Sequence, residues 1–401
     1  MHLDSDSGCP ERNHLGPAIV LYPLAHLALE VYNGMLSIMW PLFQVRFGLT
    51  FGAIGALTMI FRGSMTLPQP AFAALGDRHG RRLLAVAGLV CMATGLSLVG
   101  LAPGVPALAL LLALAPLGSA AFHPAGTGYM SRALPRRRGL AVALFMIGGT
   151  MGMSLGPVIG AWLYERQGLG ASPWLLPLGL GVALLVLLFV PPDSAQTARR
   201  TAEKRPSGSI PPAIYLLMAV AVGQSCVENG LHSYLPLLYK ARGLPLGAAS
   251  RTLFAIAAPA ALGLLLGGAL SDRIPRWRII LPAQVLTLPL YLGTLLPVGD
   301  AVLPAAAGLG FVSALTHPTV VALAQDVMPE RSSLASALTM GISWVIGSLI
   351  VALIGVAADY IGMQQALVLN TALPVIGIAC MLAVLRLSRQ PAALSKARPV
   401  G

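Results

Sequence analysis

The sequence predicts an all-α membrane protein of twelve transmembrane helices, built as two six-helix halves that repeat one plan. Three observations carry this. Apolar runs of bilayer length recur about twelve times, charged residues are too few to cover a soluble surface, and three short motifs return at a spacing of about 194 residues.

The 401 residues are 56% hydrophobic and 10% charged, with a mean hydropathy of +0.78, which excludes a soluble helical protein of this size. Crossing a hydrocarbon core of ~30 Å takes roughly 20 apolar residues. Runs of that length begin near Pro17, Phe51, Leu83, Val105, Gly139 and Pro173, and again near Pro212, Leu246, Ile279, Ala301, Ser333 and Gln365. The 44 Gly and 32 Pro would ruin soluble helices; in membrane helices they allow close backbone approach and kinks. The most polar internal stretch divides the runs six and six. The expected organisation is a cytoplasmic tail over 1–16, a first half over 17–191, a linker over 192–211, a second half over 212–387 and a tail over 388–401.

The net charge of +12 is distributed in a way that argues against nucleic acid. Arg78, Arg81, Arg82, Arg132, Arg137, Arg273, Arg276, Arg331 and their neighbours fall in alternate loops, while the intervening loops hold a scatter such as Arg46, Arg166, Lys240 and Arg242. That asymmetry predicts a multi-pass protein of the cell membrane, a bacterial inner membrane by preference, with both termini cytoplasmic. The first sixteen residues lack the apolar stretch of a signal peptide. Cys9, Cys91, Cys226 and Cys380 are scattered without any CxxC spacing, so neither a disulfide framework nor a metal site is indicated, and no cofactor is expected.

The repeat is specific. Gly-Asp-Arg at 76–78 meets Ser-Asp-Arg at 271–273, Phe-His-Pro at 122–124 meets Thr-His-Pro at 316–318, and the segment from Pro135 aligns without a gap on that from Pro329. Asp77, Arg78 and Arg81, with Asp272 and Arg273, lie at helix termini, where an acid among arginines can pair across a helix gap and break when the halves move. Gly152, Gly156, Pro157 and Gly160 sit in the fifth run at a spacing that lets helices touch and bend.

The loop Gly76-Asp77-Arg78-His79-Gly80-Arg81-Arg82 resembles the signature between the second and third helices of the major facilitator superfamily, and Gly152 to Gly160 looks like the glycine-proline motif of its antiporters. His26 and Glu30 ahead of Trp40-Pro41-Leu42, the stretch Phe47 to Gly55, Gln69-Pro70, Phe122-His123-Pro124 and His317 to Gln325 are similar to the fosmidomycin-resistance branch of efflux pumps. The resemblance implies alternating access of a small-molecule cavity between two halves, a monomer, and proton-coupled efflux. The chain departs from that branch at Glu30, Arg62, Ala125, Met146 and Thr150, positions expected to face the cavity, so its cargo is expected to differ.

Ionisable groups within membrane helices are costly and mark pathways. His26 and Glu30 are one turn apart on the first helix, Glu228 and His232 one turn apart on the seventh, so each half offers a carboxylate and an imidazole on one face. These four are the expected proton-coupling residues, Glu30 first and Glu228 second; the alternative for each acid is a structural ion pair. Arg62, Asn33, Gln69, His123, His317 and Trp344 are the expected cavity residues, Arg62 either holding an anionic cargo or pairing with Glu30, and the two His-Pro histidines either lining the cavity or bracing a kink. Uptake of an organic anion by symport is the alternative function. A His and a Glu one turn apart also suit a metal or a general base, but no HExxH, GxSxG or phosphate-binding Gly-rich loop accompanies them, so neither an enzyme nor an ATP-driven pump is expected. A non-transporting sensor is the remaining alternative.

Overall fold

In the computed structural model, residues 16–134, 137–193, 209–296 and 299–388 are described, and among them all regular structure is helical. The expected linker falls largely outside the described residues, as do most of both tails and Cys9. Among the described residues, eleven helical stretches are long and apolar enough to cross a membrane.

The first half runs α1 (Gly16–Phe47), α2 (Phe51–Thr66), α3 (Gln69–His79), α4 (Arg81–Leu98), α5 (Val105–Ala133), α6 (Arg138–Gln167) and α7 (Leu176–Phe189). The second runs α8 (Pro212–Ala241), α9 (Leu246–Ser271), α10 (Trp277–Leu295), α11 (Leu303–Val327), the short α12 (Ser332–Ser336) leading through a π-helical stretch, Ala337–Ile342, into α13 (Ser343–Ile361), then α14 (Met363–Leu369) and α15 (Ala372–Ser388).

The second apolar run, expected as one helix, is divided into α2 and α3. Pro68 lacks an N–H and Pro70 follows at once, so the ladder ends with the Leu67 amide on Gly63 and restarts with Ala71 and Phe72 on the Pro68 carbonyl.

Glycine decides how closely α1 lies on α6. A Cβ on Gly152 would meet the Leu27 carbonyl oxygen at 2.2 Å, one on Gly156 the Val31 oxygen at 2.5 Å, and one on Gly160 the Met35 side chain at 2.9 Å. The expected glycine-proline motif is therefore the seat of α1, and Pro157 sits within one continuous α6 beside Gly34. Backbone contact of this kind is how membrane helices gain packing energy without a hydrophobic drive.

The halves meet at their arginine-poor ends, through α2 with α13, α6 with α9 and α1 with α8. Asp359 accepts from the Phe51 and Gly52 amides at the start of α2, Glu165 accepts from the Gly247 amide in the first turn of α9, and Lys240 donates to the Pro41 carbonyl and Gln44.

Candidate functional site

Between the halves lies a cavity of about 630 Å³. It extends toward the arginine-rich end, where Met146, Gln325 and Met340 on its wall are exposed. Most of the wall is apolar, with Met153, Val227, Leu231, Ile256, Leu264 and Leu309 among the side chains facing it. Seven ionisable residues converge on the same wall from both halves: His26, Glu30, Arg62, His123, Glu228, His232 and His317.

In the first half, three of them meet. His26 and Glu30 share a face of α1, and His123 reaches in from α5, where the helix continues past Pro124. His123 Nε2 is 3.3 Å from Glu30 Oε1 and 3.2 Å from His26 Nε2, and His26 Nε2 is 3.9 Å from Glu30 Oε1. Asn33 donates to the other carboxylate oxygen at 2.8 Å. Both Nδ1 atoms face backbone carbonyls, His26 that of Phe145 at 2.7 Å and His123 that of Ser119 at 2.9 Å. A carbonyl only accepts, so both rings carry Nδ1–H. Gly149 makes the room, since a Cβ there would fall 2.4 Å from His26 Nε2.

In the second half the arrangement is simpler. His317, the repeat partner of His123, places Nε2 2.6 Å from Glu228 Oε1, and Trp344 lies against the His317 ring with centroids 6.1 Å apart. Where His26 stands one turn before Glu30, Gln224 stands one turn before Glu228.

Arg62 lies in the wall between the two clusters, 8% exposed, and its charge interacts electrostatically with Glu30 and Glu228. Among the described residues no ion pair within 4.0 Å joins it to either acid. The expected pairing of Arg62 with Glu30 is thus replaced by a guanidinium held near two acids and touching the cavity.

Other expectations need correction. Gln69 does not line the cavity; at the helix break it donates to the Met65 carbonyl, 3.1 Å away. Asn33 acts through Glu30 and borders only a small side pocket shared with Arg62 and His232. Ala125 is buried in the core, whereas Met146 and Thr150 do face the cavity.

Among the expected latch residues, Arg81 donates to Asp77 one turn back, and Arg78, Asp272 and Arg273 are exposed, while Arg276 pairs with Asp326. Sequence reasoning missed Asp193, which accepts from the Arg81 and Arg82 amides and so ties the end of the first half to the start of α4.

The family model of the Major Facilitator Superfamily matches residues 24–352. The chain belongs to this superfamily. Members of the Major Facilitator Superfamily are transporters, not enzymes, and carry small molecules. The chain is 28% identical over 368 residues to the fosmidomycin resistance protein of Escherichia coli (strain K12), covering 88% of this chain and 89% of that one. It is 24% identical over 388 residues to the uncharacterized MFS-type transporter YfnC of Bacillus subtilis (strain 168), covering 91% and 92%. Among solved structures it is similar to a bacterial homolog of the human lysosomal transporter Spinster in an inward-facing, unoccupied conformation, with a TM-score of 0.76, 19% identity and coverage of 97% and 99%. That likeness confirms the twelve-helix fold of the Major Facilitator Superfamily.

Proposed function

We propose that this transporter exports a small amphiphilic molecule with an anionic group, by alternating access, in exchange for protons. The observation that carries the reading is the convergence of all seven ionisable residues on one largely apolar cavity shared by both halves. An apolar wall receives the hydrophobic body of a cargo, and Arg62 offers its planar fork to a carboxylate or phosphonate. The relatives named for resistance, at 28% and 30% identity, support outward transport.

The proton is carried by Glu228 with His317. Both side chains are about one quarter exposed to the cavity, at 23% and 26%, so water reaches them. Glu30, first in the sequence reading, is 8% exposed at its side chain, with Asn33 donating to one oxygen and His123 Nε2 3.3 Å from the other. The arginine-poor ends then face outward in a bacterial inner membrane, and the cavity is open to the cytoplasm.

The test is cargo-triggered proton release from inverted vesicles with an imposed pH gradient, screening amphiphilic anions against the wild type and Glu228→Gln. Proton release that is lost in the variant is the expected result. Protons and cargo moving in the same direction would establish uptake by symport instead.

A further inference from the structure

We propose that His26, Glu30 and His123 form a binding site for one divalent transition-metal ion of the zinc type, with an open coordination position facing the cavity. The geometry is that of a ligand set. The donor separations of 3.2, 3.3 and 3.9 Å place the three atoms on a circle whose radius is about 2.0 Å, the length of a zinc–nitrogen or zinc–oxygen bond. An ion near the centre of that circle touches all three donors.

Their surroundings fit the same role. A histidine that ligates a metal nearly always donates its other ring N–H to a carbonyl or carboxylate, which fixes the tautomer. Phe145 and Ser119 accept those N–H groups here, leaving both Nε2 lone pairs to face Glu30 Oε1. Asn33 holds the second carboxylate oxygen, the outer-shell contact that orients an acid ligand. Two lone pairs and a carboxylate oxygen within 4 Å repel one another unless a cation sits among them. One shared proton can serve two of the three contacts, whereas a divalent ion serves all three.

The repeat supplies an internal comparison. In the second half, among the described residues, no third donor closes on the equivalent His317–Glu228 pair, and Gln224 occupies the place of His26. Each half thus carries two imidazoles and one carboxylate, but in the first the second imidazole stands before the acid, at His26, where Gly149 in α6 makes the space for it, and in the second it stands after the acid, at His232. Two imidazoles and one carboxylate select zinc and its neighbours over magnesium or calcium, which require oxygen cages. The fourth position takes water or an oxygen donor of the cargo, on the wall that also holds Arg62.

The experiment is titration calorimetry of the full chain in detergent, stripped with a chelator, with Zn²⁺ and with Mg²⁺. One zinc per chain is expected, with at least a tenfold loss of affinity in His123→Ala and His123→Asn, no loss in the surface variant His79→Ala, and no binding of Mg²⁺. Thermal unfolding of each variant without metal reports whether it folds, and zinc should raise Tm in the wild type but not in the His123 variants. Equal zinc affinity in wild type and His123→Asn, or equal affinity for Mg²⁺, would overturn the site and leave a shared proton as what holds the cluster. None of these readouts involves transport, so they succeed or fail independently of the export reading.

Discussion

Asp359 at the end of α13 caps the first turn of α2 through the Gly52 amide at 2.9 Å, joining the two halves by a carboxylate on a helix N-terminus. Its neighbour Phe51 donates to the same carboxylate at 2.7 Å, and the repeat reproduces the contact in mirror fashion with Glu165 on Gly247, also at 2.7 Å. Acids at helix N-termini are stabilised by unsatisfied amides and the helix dipole. In the alternating-access reading, both contacts break when the cavity opens at the arginine-poor end.

Asp359→Ala and Glu165→Ala should each raise the population opened at that end by about two- to fivefold, the weight of one exposed acid on a helix dipole. Spin labels across α2 and α13, read by pulsed electron resonance, give the populations. Unchanged distance distributions would remove these acids from the closing device.

Gly149→Ala should displace the His26 imidazole, because the new methyl would overlap ring atoms 2.3 to 2.8 Å away. Gly156→Ala should instead separate α1 from α6, since it meets backbone at Val31 and Met35 rather than a side chain. Overpacking of this kind costs about 1–3 kcal/mol. The expected outcome is a lowered Tm in Gly156→Ala, and in Gly149→Ala a loss of zinc binding that exceeds any loss of stability.

Arg62→Gln should weaken binding of anionic cargo by roughly ten- to a hundredfold, the weight of a charge-assisted hydrogen bond, while neutral cargo is little affected. Arg62→Lys should restore only part, since an ammonium lacks the planar fork. Competition between an amphiphilic carboxylate and its methyl ester measures this. Equal losses for acid and ester would assign Arg62 to structure.

Asp193→Ala should destabilise the first half by about 1 kcal/mol, as loss of a helix cap does. Asp193 caps α4 from beyond α7, so proteolysis at the end of α7 should also quicken. An unaltered Tm and digestion rate would count against the cap.

Legibility in the sequence followed the range of each interaction. The spans, the repeat and the i,i+4 pairing of His26 with Glu30 were local patterns and could be read directly. His123 could not be assigned to Glu30, because that contact depends on how α5 lies on α1. Gln69 looked like a cavity residue because it is polar within an apolar run, but the two prolines around it leave a carbonyl to satisfy, and it does so. Asp359, Glu165 and Asp193 have backbone amides as their targets, which no side-chain pattern reveals.

The break at Leu67-Pro68 gives the second span a joint. Its segment at the arginine-poor end, α2, packs on α13 of the opposite half and on α5, while its segment at the arginine-rich end, α3, packs on α4 and α5 of its own half. A straight rod shared between two bodies would resist their rotation along its whole length. A jointed one confines the bending to a few residues near Arg62 and leaves each segment with the body it belongs to, so the torque of opening is absorbed beside the cavity rather than in its wall.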